Sequence, residues 1–163
     1  MLHSNVSKNQ GFTLIESLIV VSITGILLAI GIPSLLAAQN RAKLGQATDL
    51  VIASLQEAQG ESMRHSQGCT LTLDRINNKI YGLSGCLVSG DRFLPDAISL
   101  NYTGAANTIE YGIRGNTTSN KTIVLKIKDS STNARCLTIS APLGIIRVGS
   151  YNPNTFVCEK LVN

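Results

Sequence analysis

The run Gly11-Phe12-Thr13-Leu14-Ile15-Glu16 constrains this chain more than any other, because it sets one carboxylate a few residues inside an otherwise apolar segment that continues to about Ala38. A charge in hydrocarbon is costly, so an acid at that position points to a function and to a cationic partner. Lys8, just before the apolar run, is one basic group nearby. The other is the amino terminus that a cut after Gly11 would create, with Phe12 first and Glu16 a turn further on.

From Phe12 to Asn40 a helix would extend about 43 Å at 1.5 Å per residue, more than the roughly 30 Å of a bilayer's hydrocarbon. An ordinary secretory signal is cut after its apolar stretch. Here the candidate cut precedes it, so the apolar helix would stay on the product. A loose Ala-x-Ala-like site at Leu36 to Ala38 is set aside, since a disposable apolar region has no use for an embedded charge. Pro33 has no N–H for the carbonyl of Ala29 and clashes with it, which predicts a kink or a locally melted turn over Ala29 to Pro33. Arg41 and Lys43 are the first full charges after Glu16.

Beyond Pro33 the pattern turns amphipathic. Leu44, Ala47, Val51, Leu55, Ala58 and Ser62 recur at intervals of three and four, with Arg41, Lys43, Gln46, Asp49, Gln56 and Gln59 mostly off the stripe. The spacing predicts one long helix from about Phe12 to His65, with Gly45 and Gly60 weakening its ends, and Ser66-Gln67-Gly68 as its stop. Alternation then predicts eight strands: Cys69 to Asp74, Lys79 to Leu83, Ile98 to Tyr102, Thr108 to Ile113, Thr122 to Lys128, Arg135 to Ser140, Ile145 to Gly149 and Thr155 to Cys158. Turns fall at Asn77-Asn78, Arg114-Gly115-Asn116 and Pro142-Leu143-Gly144. Eight short strands exceed one small flat sheet, so the expected fold is α+β, a long N-terminal helix packed on a β head of two small antiparallel sheets. Tryptophan is absent, so the head's core should be aliphatic.

Cys69, Cys86, Cys136 and Cys158 all follow the apolar segment, separated by 16, 49 and 21 residues and forming no CxxC. With only His3 and His65 in the chain, a zinc site would be nearly all thiolate and lacks knuckle spacing. Disulfides in an oxidising compartment fit better, with reduced core cysteines as the alternative. Of the three pairings, Cys69 with Cys86 and Cys136 with Cys158 closes the shortest loops, each around a hairpin. The net charge of +4 comes from scattered residues and permits an anionic partner without specifying one. No HExxH, G-x-S-x-G or phosphate loop occurs. Asp74, Asp91, Asp96 and Asp129 read as turn-forming acids, and His65 reads as a helix-end residue that favours the dipole or caps a carbonyl. Neither an enzyme, a cofactor nor a metal is expected.

These residues together resemble the prepilin family, the subunits of type IV pili and the pseudopilins of type II secretion systems. Lys8 resembles the leader's positive charge, Gly11 its last residue, Phe12 the methylated first residue of the mature chain, Glu16 the assembly glutamate and Pro33 the proline that bends the helix. The resemblance implies a leader at 1–11, a transmembrane and assembly helix at 12–40, its amphipathic continuation at 41–66 and a β-rich head at 67–163. It also implies a prepilin peptidase and methyltransferase, other pilin or pseudopilin subunits and an inner-membrane assembly platform as partners. The chain would then be a single-pass protein of a bacterial inner membrane, with its head in the periplasm or outside. The closing hairpin Arg135-Cys136-Leu137-Thr138-Ile139-Ser140 and Gly144-Ile145-Ile146-Arg147-Val148 resembles the H-type pseudopilin and FimT-like minor pilin branch, as does Ala58-Gln59-Gly60-Glu61-Ser62-Met63-Arg64-His65. DNA-binding members carry Gly-Arg-x-Arg in this hairpin; here Ile145 stands at the first arginine. That leaves Arg147 as a candidate nucleic-acid contact and DNA uptake as the alternative function.

Overall fold

The computed structural model describes residues 11–83, 85–128, 134–153, 155 and 157–160. Lys8 and the rest of the expected leader before Gly11 lie outside them, as does Asp129. The chain divides into two compact units between Gln39 and Asn40. One α-helix, α1 (Leu14–Arg64), contributes to both.

In the first unit α1 opens on Thr13, whose Oγ1 accepts the Glu16 N–H at 3.3 Å while its carbonyl accepts the Ser17 N–H at 3.2 Å. That is N-cap chemistry: a side-chain oxygen satisfies a first-turn donor that has no partner within the helix. Every residue from Leu14 to Ala38 is exposed, and the segment is long and apolar enough to cross a membrane. Its hydroxyls turn back on their own helix, as Ser22 to Leu18 O (2.8 Å), Thr24 to Val20 O (2.9 Å) and Ser34 to Gly31 O (2.9 Å). The locally melted turn anticipated before Pro33 does not occur, because α1 runs unbroken through it. Proline removes only one ladder bond, and the remaining turns keep the helical conformation.

In the second unit the predicted stripe of α1 is buried, with Ala47, Val51, Leu55 and Ala58 fully so. Four strands form the first sheet, in the order β3 (Arg92–Phe93), β2 (Lys79–Gly82), β1 (Cys69–Asp74), β5 (Thr108–Tyr111). Five form the second, in the order β4 (Ile98–Tyr102), β6 (Lys121–Ile127), β7 (Ala134–Ser140), β8 (Ile145–Asn152), β9 (Val157–Lys160). All pairings are antiparallel. Leu71, Leu73, Ile80 and Ile109 of the first sheet and Ile98, Ile123, Leu125 and Leu137 of the second join the helix stripe in one aliphatic core. Burying a side chain of that size contributes about 1.5–3 kcal/mol, so this core is the main stabilising term of the head.

The described residues hold nine strands where alternation predicts eight. β3 is the addition: two residues, Arg92 and Phe93, cannot display a period of two. β8 runs three residues past Gly149, and β9 starts at Val157 and not at Thr155, because their pairing joins Gly149 to Lys160 and Asn152 to Val157.

Candidate functional site

Glu16 sits in the first turn of α1, where the exposed N–H groups favour a negative charge. Its side chain is exposed, and among the described residues the carboxylate has no partner. Thr13-Leu14-Ile15-Glu16 has capping-box spacing, and the half that forms is the one supplied by Thr13. Sequence reasoning that attended only to Glu16 passed over Thr13, although the spacing was there to read. Gly11 and Phe12 precede the helix in non-helical conformation and are exposed.

The helix end is organised by acids. The Glu57 carboxylate accepts the Val88 N–H at 2.8 Å, the Ser89 N–H at 3.4 Å and the Arg92 guanidinium at 2.9 Å. Burial would raise its pKa. The Arg92 side chain and the Ser89 and Val88 N–H groups outweigh burial and hold the carboxyl below its ordinary 4.5. Glu61, almost wholly buried, pairs with Arg64 at 3.0 Å and with His65 Nε2 at 3.1 Å. The His65 ring thus bonds to a side chain one turn back and not to a terminal carbonyl. Gln59 Nε2 donates to Gly115 O (2.8 Å) and Leu143 O (3.2 Å). Gly144, at φ +67°, lets that contact close, because a Cβ there would lie 3.1 Å from both the Gln59 amide and the Tyr111 ring. Tyr111 is 2 % exposed, and among the described residues its hydroxyl has no partner. Burial pushes its pKa up to about 12.

Cys69 is bonded to Cys86 and Cys136 to Cys158, and no cysteine is free. No group of three or more His, Cys, Asp or Glu able to hold a metal exists among the described residues. Arg147 is exposed on β8 and lines a groove of about 470 Å³ with Thr138, Val148, Gly149, Cys158 and Glu159. Among the described residues lining that groove, Arg147 is the single basic one and Glu159 the single acidic one.

Residues 6–32 match the family model described as the prokaryotic N-terminal methylation motif, so the chain carries the N-methylation motif of type IV prepilins. With its long apolar helix and a second unit of helix and two antiparallel sheets, it has an α+β, pilin-like fold.

Among solved structures, the chain is similar to the type IV minor pilin FimU of Pseudomonas aeruginosa PAO1. The likeness has a TM-score of 0.55 at 17 % identity, covering 71 % of this chain and 92 % of that one. A second crystal form of FimU gives 0.52 at 16 %, covering 69 % and 94 %. The minor pseudopilin EpsH of the Type 2 Secretion System of Vibrio cholerae aligns at 0.47 and 12 %, covering 68 % and 95 %. These likenesses do not specify the H-type and FimT-like branch. No curated protein matches the sequence.

Proposed function

We propose that this chain is a minor subunit of a type II secretion pseudopilus or type IV pilus, cut between Gly11 and Phe12, methylated on Phe12 and assembled through Glu16. The observation that carries this reading is an unpartnered Glu16 carboxylate one helical turn from the new amino terminus, within a matched prepilin motif. Before assembly the subunit rests in a bacterial inner membrane with residues 12–40 across it and residues 67–163 in the periplasm or outside, against an inner-membrane platform. In the filament the carboxylate of one subunit pairs with the Phe12 ammonium of a neighbour. Each charge would be costly alone in a dry packing of helices, and together they set the axial register.

Intact-mass measurement of the protein from its native host tests the processing step. The expected product lacks residues 1–11 and carries one methyl group on Phe12; any other mature start defeats the assignment. Glu16→Ala should leave both disulfides and the membrane pool intact while lowering incorporation into filaments, measured by filament pull-down with the membrane pool counted in parallel. Wild-type incorporation of that variant would remove the assembly role.

A further inference from the structure

One side chain ties α1 to loops of both sheets. Gln59 Nε2 donates to Gly115 O at 2.8 Å, in the loop that follows β5 of the first sheet, and to Leu143 O at 3.2 Å, in the turn between β7 and β8 of the second. Both hydrogens of that amide go to these two carbonyls. The loops also hold each other, through the Thr117 N–H to Pro142 O at 2.8 Å. Among the described residues, the Gln59 amide alone hydrogen-bonds them to the helix.

Met63 lies four residues further along α1, on the same side as Gln59. A Cβ at Gly115 would fall 2.9 Å from Met63 Sδ and 3.2 Å from Gln59 Cγ, so the bare backbone of this glycine, at φ +71°, lets both side chains meet the loop. Met63 is 51 % exposed, and a small solute in water reaches it. The chain has one other methionine, Met1, outside the described residues, and all four cysteines are held in disulfides. Met63 is therefore the one reduced sulfur among the described residues. A thioether is a weak acceptor, and Gln59 keeps its carbonyls beside it. Oxidation makes the same side chain polar, with a strong acceptor oxygen on the sulfur. Placed one turn from Gln59 and against the same loop, that oxygen competes with Gly115 O and Leu143 O for the amide hydrogens.

We propose that Met63 is a site of oxidation by peroxide, and that its sulfoxide draws the Gln59 amide off Gly115 and Leu143 and so releases both loops from the helix end. In the step, a sulfur lone pair attacks one oxygen of hydrogen peroxide, an S–O bond forms and the O–O bond breaks. The transferred oxygen gives up its proton, and the departing hydroxide takes up a proton and leaves as water. The thioether loses two electrons and the peroxide gains them. The aliphatic core under α1 from Leu44 to Ala58 keeps its packing, so the response is confined to the two loops. It concerns the head alone and stands whether or not the chain enters a filament.

The test treats the full chain in detergent with hydrogen peroxide, locates the added oxygen by peptide mass, and reads hydrogen exchange in peptides covering 112–117 and 141–146, with β6 as control. Peptide mapping confirms that both disulfides persist in every sample compared. Oxidation of Met63 is expected, with exchange in both loops about tenfold faster and β6 unchanged. Met63→Leu, close in volume and inert to peroxide, should abolish the response. Gln59→Leu should exchange fast in both loops before peroxide and no faster after it. A Met63 that stays reduced, loops whose exchange ignores its oxidation, acceleration that survives Met63→Leu, or further acceleration by peroxide in Gln59→Leu would each overturn the proposal.

Discussion

The two parts of α1 have the same backbone conformation and opposite habits. From Leu14 to Gln39 each bonded hydroxyl finds its acceptor within four residues on its own helix. From Asn40 onward side chains reach far along the chain, Glu57 to Val88 and Arg92, Gln59 to Gly115 and Leu143. The first stretch is helical from its own ladder; the second is held by what packs on it. Helicity alone therefore says nothing about where a segment's stability comes from.

The sharpest way to break that contrast is a matched pair of truncations. Leu55→Ala, at a fully buried position, should cost about 3 kcal/mol of head stability. Leu27→Ala, exposed in the first stretch, should change it by less than about 0.5 kcal/mol. Urea unfolding of the full chain in detergent, followed by hydrogen exchange in β1 and β6, measures both. Equal effects would erase the distinction between the two parts.

Glu57→Ala should cost about 2 kcal/mol, because it leaves two loop N–H groups and a guanidinium without their acceptor. The same residue gives the head an acid limb. A carboxylate whose folded pKa lies below its unfolded value contributes stability above about pH 4.5 that is lost as pH falls through the folded value. Glu57→Gln should flatten the stability profile between about pH 5 and pH 3; a profile parallel to wild type would show that the loop is held by other contacts. The smallest expected effect is at Tyr111. Tyr111→Phe removes a buried hydroxyl that has no partner, so stability should stay level or rise by up to about 1 kcal/mol in the same unfolding measurement. A loss would mean that the hydroxyl is satisfied in solution.

Features written in local periodicity were legible in the sequence, and features written in contacts between distant residues were not. The helix stripe from Leu44 to Ser62 and the central strands could be read because burial repeats with the element's own period. Gln59 read as off the stripe and nothing in the helix period singled out Glu57 or Glu61, since the partners of Glu57 and Gln59 lie far along the chain and those of Glu61 are Arg64 and His65 at the helix end. Asn78 read as a turn residue, and at φ +53° it is one; that its amide also bonds Ile98 O and the Leu100 N–H on β4 depends on a fold that no window around it contains. The methylation motif was legible because its chemistry is local, one glycine, one apolar start and one acid.

The inward-turned hydroxyls of the first stretch have a consequence for travel. A segment whose hydroxyls are answered by its own backbone carries those bonds unchanged in lipid, in detergent or against another protein surface. Moving it between those surroundings breaks nothing inside it and changes only what touches its outside. Glu16 is the charged exception, a carboxylate that among the described residues has no partner and so meets each new setting with its bonding unfinished.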